Sequence, residues 1–457
     1  SRGLLHFFSA RALFCMARFV CFGEVLLRYS QLDTRVGDEV PAKKHTEVWC
    51  QSVAGAELNV AVALARLGWR SPTVVSVLPE GLLGDHVLDY VSAALGGAEG
   101  ARVKRAGQHV GIVHVWRPNT RVYQRDHSAF CELDPSWFSE DFWQRHLVSS
   151  LEDQPTMTFL HLSGVPPLLC PATAQAWANA LAVTQRVREA GEKLVVTLEL
   201  TPRRDFGGYL ELWMMTAPHL RNLDILELSL NIIAPLWTIL GARDSEMLPR
   251  LDALKPALVG LDCVDMQKLP QSIASIAGLD LLLREALLEL RDHVVGDCEQ
   301  PALLLVVKLQ ETKRKARGGP RTHKRWSMAC VRGRVISTSE TAVSSQADPV
   351  TSSADAWLAG VIDGLSKIQG AREQACAAEP ARHMGSSRFA ATSDQWHEAL
   401  RQGDRLSAIK ESRSQFSSDL SDVTRAELEK LSQADRVLCE EPDGGVDEPA
   451  HSFSKKL

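Results

Sequence analysis

The chain of 457 residues is 45% hydrophobic, 23% charged and 6% aromatic, which is the composition of a globular protein with enough apolar content for a large core. Its 51 Lys and Arg residues against 56 Asp and Glu give a formal charge of −5, which excludes a globally basic nucleic-acid binder and disfavours a nucleic-acid partner. No run reaches the roughly 18 consecutive apolar residues of a membrane-spanning helix, so we expect no membrane partner. The ten cysteines are scattered, a pattern that predicts reduced thiols in the cytoplasm or another reducing compartment.

The two ends of the chain differ in composition from its middle. Residues 1–16 contain arginine, serine and phenylalanine but no acid, which favours either a leader for organellar import or an upstream extension before a start at Met16. Residues 416–457 are rich in acids and carry proline and glycine near the end, so we expect a mostly disordered acidic tail. The predicted folded domain is therefore 17–415.

Between these ends, short apolar runs alternate with helical patterns. In chain order, the predicted strands are 18–30, 74–78, 110–116, 121–125, 158–164, 193–200, 223–228, 303–309 and 332–338. The helical patterns fall at 59–67, 84–95, 173–190, 209–217, 246–297, 355–368 and 385–410. This alternation predicts an α/β fold with a mostly parallel sheet and helices on both of its faces.

Six segments resemble the pfkB (ribokinase-like) carbohydrate kinase family, most closely its 2-keto-3-deoxygluconate kinase branch, and they occur in the order that the family has. The segments are FGEVLLRYS (22–30), GAELNVAVALARLG (55–68), GDHVLDY (84–90), VYQRDHSAFCELDP (122–135), HLSGVPPLL (161–169) and ADAWLAGVIDGL (354–365). The resemblance implies a ribokinase-like three-layer α/β/α sandwich with a small β lid over the sugar. On that basis the lid comes from about 31–52 and 110–126.

Gly55 and Asn59 are the first candidates for contact with a sugar. A glycine lets the backbone approach a ligand closely, and the Asn amide offers a donor and an acceptor to hydroxyl groups. The alternative is that Gly55 only shapes a turn and Asn59 caps a helix. The resemblance favours the sugar-binding role.

Tyr123 and Arg125 lie two residues apart on a predicted strand, so both side chains face one side of it. A guanidinium group binds a carboxylate with two hydrogen bonds, whereas the alternative is a solvated strand edge. The resemblance implies that this pair contacts a sugar acid. It also implies that Arg203, which follows the predicted strand 193–200, contacts the same ligand. Two arginines favour an acidic sugar, although Val113 stands where the family usually has a tyrosine.

The resemblance places phosphoryl transfer at the segment Ser352-Ser353-Ala354-Asp355, where the family has G-A-G-D at a helix N-terminus. Backbone amides and the helix dipole there would form an anion hole for phosphates, and Asp355 would take the proton of the attacking hydroxyl. The alternative is that Asp355 only stabilises its helix. The family's N-x-x-E motif is not retained at Ser229, and of its K-x-G-x-x-G motif only Lys308 remains.

A basic segment, 313–325, follows Lys308 and contains seven Lys and Arg residues. Three interpretations stay open: a solvated insertion loop between two strands, a nuclear-localisation or RNA-binding patch, and a loop that supplies positive charge to the nucleotide pocket.

The predicted function is that of an ATP-dependent kinase acting on the terminal hydroxyl of a sugar or sugar acid, with 2-keto-3-deoxygluconate favoured. ATP and Mg²⁺ are the expected cofactors, with Mg²⁺ carried largely by the nucleotide. A pseudokinase that binds a sugar acid is the first alternative, and a scaffold acting through the basic segment and the acidic tail is the second. Homo-oligomerisation through the lid is left open.

Overall fold

The computed structural model describes most of the predicted domain. The described residues are 17–31, 49–70, 72–116, 120–148, 157–200, 208–241, 245–258, 263–296, 301–310, 321–339, 341–345, 353–378, 391–413, 426, 427 and 430. The predicted leader 1–16, Arg203 and Ser352 lie outside them, as does nearly all of the predicted tail.

The described strands, in chain order, are β1 (Ala17–Phe22), β2 (Leu26–Gln31), β3 (Trp49–Ala54), β4 (Thr73–Leu78), β5 (Ala101–Arg105), β6 (Gly111–Trp116), β7 (Thr120–Gln124), β8 (Met157–Ser163), β9 (Leu194–Leu200), β10 (Ile225–Leu228), β11 (Cys263–Asp265), β12 (Ala302–Gln310), β13 (Arg321–Val331), β14 (Arg334–Ser337) and β15 (Thr341–Ser345). The described helices are α1 (Ala56–Arg66), α2 (Leu82–Ala94), α3 (Glu140–Leu147), α4 (Pro166–Leu169), α5 (Pro171–Ala182), α6 (Thr184–Glu189), α7 (Tyr209–Thr216), α8 (Leu230–Ile239), α9 (Met247–Asp252), α10 (Ile276–Val295), α11 (Ser353–Ala378) and α12 (Ser393–Arg413).

Eleven strands form the central sheet, in the order β14-β13-β12-β10-β9-β8-β1-β4-β5, with β11 beside β12 and β15 beside β13. The pairs from β5 to β12 are parallel, and β13 runs antiparallel to its three partners. Parallel neighbours need crossover connections, which the helices between the strands provide. The predicted α/β class with a mostly parallel sheet is confirmed.

Alternation along β1 shows why helices cover both faces of this sheet. Val20 and Phe22 belong to one hydrophobic cluster, and Phe19 and Cys21 belong to another on the opposite face. The first cluster contains side chains of α5, α8 and α10, and the second contains side chains of α1, α11 and α12. Because apolar residues on both faces are buried, the central strands are nearly continuous apolar runs.

A second sheet stands apart from the first, with four strands in the order β3-β2-β6-β7. β2 pairs with β3 antiparallel and with β6 in parallel, and β7 closes the sheet antiparallel to β6. Val113 packs against Leu26, Ala54 and Tyr123 on one face of it. These strands fall within or beside the two ranges predicted as a lid, of which residues 32–48 lie outside the described part.

The end of the chain differs from the sequence expectations in three places. Residues 321–325, predicted as part of a loop, belong to β13 and pair with β12 and β15, because the antiparallel return begins there. β15 occupies residues for which the sequence predicted neither a strand nor a helix. α11 begins two residues before Asp355 and continues to Ala378, and α12 packs against it.

Glycines permit the close crossing of α11 and α12. A Cβ atom on Gly360 would lie 2.7 Å from the backbone of Gln402 and Gly403, and one on Gly364 would lie 2.8 Å from Ala399. Real Cβ contacts are not that short, so larger residues at these positions would push the helices apart. The crossing brings polar residues of α12 against the sheet.

Asp404 of α12 is buried at this crossing. Its carboxylate accepts hydrogen bonds from Thr338 (2.8 Å), Ser327 (3.1 Å) and the Trp357 indole (3.1 Å). Burial raises the pKa of Asp404 to about 6, although these bonds and the charge of Arg325 act in the opposite direction. The folded protein therefore binds a proton at Asp404 more tightly than the unfolded chain does.

This raised pKa predicts a pH-dependent difference between the wild type and Asp404→Asn. As the pH rises from about 4 to above 6, Asp404 loses a proton that the fold favours, and the wild type loses stability that the variant does not. At about 1.4 kcal/mol per pKa unit, the free energy of unfolding of the wild type should fall relative to the variant by about 2 to 3 kcal/mol between pH 4.5 and pH 8. Urea unfolding of both proteins at several pH values measures it, and a constant difference would contradict the assignment.

Candidate active site

Asp355 and Asn59 meet at one end of the sheet although 296 positions separate them in the chain. Asp355 lies in the first turn of α11, and Asn59 lies on α1, which packs against α11. The amide nitrogen Nδ2 of Asn59 donates to Oδ2 of Asp355 at 2.7 Å, and both side chains are only 8% exposed. The structure thus brings the predicted base and a predicted sugar contact together.

Asn59 does not cap its helix, which was the alternative interpretation. α1 begins at Ala56 with Gly55 as its N-cap residue, so Asn59 is already inside the helix. Its amide instead orients the Asp355 carboxylate. The hydrogen bond and the N-terminus of α11 both stabilise negative charge at this position.

Lys308 and Ser353, both predicted on the nucleotide side, also lie together. Lys308 lies near the end of β12, and its Nζ donates to Ser353 Oγ at 2.5 Å. Ser353, Ala354 and Asp355 form the first turn of α11, where backbone N–H groups have no partner within the helix. A cation therefore lies beside a helix N-terminus, as an anion site requires.

Glu411, on the last turns of α12, binds this cation. Its Oε1 lies 3.0 Å from Lys308 Nζ and is also bonded to the guanidinium of Arg325. Arg325 is 1% exposed and Glu411 8%, so the interaction is largely screened from water. Of the three interpretations of the basic segment, that of a solvated loop does not hold for Arg325, because this residue is on β13 and faces α12.

Gly55 permits its own backbone to lie close to the backbone of Glu24. A Cβ atom at this position would lie 2.5 Å from the carbonyl oxygen of Glu24. The turn between β3 and α1 therefore lies directly against the residues that follow β1. This contact connects the Asn59 helix to the second group of site residues.

Tyr123 lies on β7 and Arg125 directly follows that strand, with both side chains on the same side, as predicted. The guanidinium carbon of Arg125 lies 4.3 Å from the centre of the Tyr123 ring, an arrangement typical of a cation–π contact. Arg125 is 8% exposed, so the alternative of a solvated strand edge is wrong for this side chain. Its Nε lies 3.1 Å from Oε2 of Glu24, which is itself 4% exposed.

Glu24 links Arg125 to the segment that follows β7. Ser128 Oγ donates to Glu24 Oε1 at 2.8 Å, and a Cβ atom on Gly111 would lie 2.3 Å from the same oxygen. Burial raises the pKa of Glu24, while Arg125 and Ser128 act to lower it. A ligand carboxylate at Arg125 would therefore compete with, or displace, a carboxylate that the protein already provides.

Sequence reasoning missed Glu24 and Glu57 as site residues. Glu57 is 2% exposed, accepts from Ser163 Oγ at 2.5 Å, and lies where a Cβ on Gly23 would be only 2.1 Å from its Oε2. Both acids stand inside segments that carry the family resemblance. The sequence nevertheless offered a signal: Glu24 follows an apolar strand and Glu57 lies in the first turn of an apolar helix. Burying an unpaired charge at such a position costs free energy, so a partner is expected there.

A cavity of about 290 Å³ lies away from these residues, at the start of α8. Its lining includes Asn231, Tyr209 and Lys255 among apolar side chains, and neither Asp355 nor Arg125 takes part. The candidate site formed by the contacts of Asp355 and Arg125 is therefore separate from this cavity.

The described part of the chain contains neither a cluster of metal-ligating side chains nor a membrane-spanning helix. No three His, Cys, Asp or Glu side chains converge there to hold a metal ion. Among the same residues, no helix is long and apolar enough to cross a bilayer.

Solved structures of carbohydrate kinases share this fold. A 2-dehydro-3-deoxygluconokinase from Thermotoga maritima matches with a TM-score of 0.57 at 18% identity, over 91% of this chain and 99% of that one. Fructokinase from Xylella fastidiosa with bound ATP gives 0.51 at 15% identity, over 93% and 100%. A PfkB family carbohydrate kinase from Listeria grayi gives 0.50 at 14% identity, over 91% and 99%.

The sequence comparisons add nothing to this likeness, since no protein-family model and no curated protein sequence matches the chain. At these low identities the structural likeness shows the fold alone. The chain has the ribokinase-like fold of the PfkB carbohydrate kinases, and the predicted fold is confirmed.

The buried Glu24–Arg125 pair predicts strong coupling in a double-mutant cycle. Glu24→Gln and Arg125→Met should each cost about 3 kcal/mol of stability, because each leaves one buried charge without its counter-charge. The double variant should lose at least about 2 kcal/mol less than the sum. Urea unfolding of the four proteins measures this.

The exposed pair Arg250–Glu285 (2.7 Å) is the matched control for that cycle, since its side chains are 48% and 40% exposed. Its coupling should stay below about 1 kcal/mol. Equal coupling in the two pairs would contradict the buried arrangement.

Proposed function

We propose that this protein is an ATP-dependent kinase that phosphorylates the terminal hydroxyl of a sugar acid, with 2-keto-3-deoxygluconate as the first substrate to test. The observation that carries the proposal is the Asp355 carboxylate at the N-terminus of α11, where Asn59 donates a hydrogen bond to it. Ser353, in the same helix turn, contacts Lys308. A base for a hydroxyl and a site for phosphate oxygens therefore occupy one helix turn. Phosphoryl transfer needs both.

In the proposed reaction, Asp355 accepts the proton of the substrate hydroxyl while the oxygen of that hydroxyl forms a bond to the γ-phosphorus of ATP. The bond from that phosphorus to the β–γ bridging oxygen breaks, and ADP leaves. The amides of Ser353 and Ala354 and the ammonium of Lys308 are positioned to stabilise the charge on the phosphate oxygens. Mg²⁺ would arrive with the nucleotide phosphates.

The proposed substrate is an acid because Arg125 is presented beside Tyr123 in a buried setting. A sugar carboxylate would bind the guanidinium, and Asn59 and the Gly55 turn would contact hydroxyl groups. Arg203 remains a predicted second cation. Glu24 would hold Arg125 in place while the site is empty, and its raised pKa lets it take a proton when a ligand carboxylate comes near.

A second function is favoured by one observation: Glu411 binds Lys308, which contacts Ser353 at the N-terminus of α11, and also binds Arg325. A carboxylate there reduces the positive charge that phosphates need. On this alternative, the protein binds a sugar acid, binds nucleotide weakly and acts as a sensor or a subunit. Thermal shifts with sugar acid alone, with ATP-Mg²⁺ alone and with both separate the two functions, because only the kinase responds to the nucleotide.

Asp355→Asn should lower kcat by a factor of about 10² to 10⁴, while the Kd for the sugar acid changes less than about threefold, because the amide keeps the shape but cannot take the proton. A coupled ADP-release assay over a panel of sugars and sugar acids measures kcat, and calorimetry measures Kd. Asp394→Asn is the control, since Asp394 also lies in the first turn of a helix, α12. Turnover retained in Asp355→Asn would refute the base.

Glu411→Gln should tighten ATP-Mg²⁺ binding about tenfold, because Lys308 and Arg325 lose their negative partner, and should cost about 3 kcal/mol of stability for the same reason. Glu398→Gln serves as the control on the same helix: its partner is Arg405, and Glu398 is 52% exposed. Calorimetric titration with ATP-Mg²⁺ measures the affinity. Unchanged affinity would show that Glu411 does not limit nucleotide binding.

A further inference from the structure

Cys131 and Cys170 lie side by side, although α3, β8 and α4 separate them in the chain. In its thiol form, Cys170 Sγ donates to the carbonyl oxygen of Cys131 at 3.2 Å, so the two residues are in direct contact. Both residues are half-buried, so small solutes reach them, whereas Cys21 and Cys330 are buried. Neither thiol has a role in the proposed phosphoryl transfer.

The two thiols have different surroundings. Cys170 is the N-cap residue of α5, where its backbone N–H donates to Thr173 Oγ1 at 3.2 Å. Hydrogen bonds from the Cys131 thiol, then from the Thr173 hydroxyl and the amides of Thr173 and Ala172, lower the pKa of Cys170 against the opposing effect of burial. The same thiol–thiol bond, together with burial, raises the pKa of Cys131.

This asymmetry is the one that a dithiol needs for ordered oxidation. A thiolate at a helix N-terminus is the nucleophile, and a neighbouring thiol that keeps its proton is the resolving group. The contact with Cys131 is an observation independent of the helix end, because Cys131 belongs to the segment after β7 and not to α5.

We propose that Cys131 and Cys170 form a redox-sensitive dithiol that hydroperoxides convert to a disulfide. The Cys170 thiolate attacks the peroxide: a sulfur–oxygen bond forms, the oxygen–oxygen bond breaks, and the departing hydroxide or alkoxide takes from solvent the proton that the Cys170 thiol released, leaving as water or an alcohol. The Cys131 sulfur then attacks the sulfenic acid at Cys170, so that a sulfur–sulfur bond forms and hydroxide leaves with the Cys131 proton as water. In total, two thiols lose two electrons and the hydroperoxide gains them.

A Cys131–Cys170 disulfide would affect the candidate sugar site through residues bonded to Cys131. The backbone N–H of Cys131 donates to Ser128 Oγ at 3.4 Å, and Ser128 in turn donates to Glu24, the partner of Arg125. A disulfide would therefore tether the segment that carries Arg125 and Ser128 to the start of α5. The proposal goes beyond the kinase function and holds whether or not the protein turns over a sugar.

Hydrogen peroxide, added to the fully reduced chain and quenched with catalase, tests the proposal. Peptide mapping under non-reducing conditions should find Cys131 linked to Cys170 as the dominant product, with the mass of two hydrogens lost. In Cys131→Ser, dimedone should instead trap a sulfenic acid at Cys170. Oxidation spread evenly over the other cysteines would overturn the proposal.

Cys170→Ser should slow peroxide consumption at least tenfold by removing the nucleophile. Serine is a favoured N-cap residue, so this variant keeps the start of α5, and its thermal unfolding verifies that it is folded. Cys50→Ser, which removes another half-buried cysteine, should react like the wild type. Equal rates in Cys170→Ser and the wild type would also overturn the proposal.

Discussion

The hydrogen bond from Asn59 to Asp355 is the contact on which the rest of the candidate site depends. It joins α1 and α11, which lie on the same face of the central sheet and share one hydrophobic cluster. A carboxylate that is 8% exposed needs donors, and the amide supplies one at 2.7 Å. Packing of the two helices thereby orients the group to which we assign the proton transfer.

Charge is arranged in pairs on either side of that contact. Toward the second sheet, Glu24 holds Arg125, and toward α12, Glu411 holds Lys308 together with Arg325. Each pair costs desolvation and repays it only while both partners remain. On the proposed function, an anionic ligand at either pair would compete with a protein carboxylate, so its affinity would depend on how easily Glu24 and Glu411 give up their partners.

The fold and part of the site followed from sequence patterns. Alternation of apolar strands and helices predicted the parallel sheet. The family resemblance selected Asn59, Asp355, Lys308 and Ser353, which the structure brings together as the pairs Asn59–Asp355 and Lys308–Ser353. The sequence left three interpretations open for the basic segment that contains Arg325. Nothing near Arg325 in the sequence shows that Glu411 covers it.

What the sequence by itself determined is the order of strands and helices, the residues that face the core, and the residue types able to do chemistry, because each of these rests on local periodicity and on the properties of single side chains. Only the tertiary structure decided which charges are paired and which thiols are neighbours. Glu24 meets Arg125, Glu411 meets Lys308, and Cys131 meets Cys170 across 101, 103 and 39 positions of the chain respectively. Such pairings depend on how whole helices and strands pack, and local pattern carries no record of that.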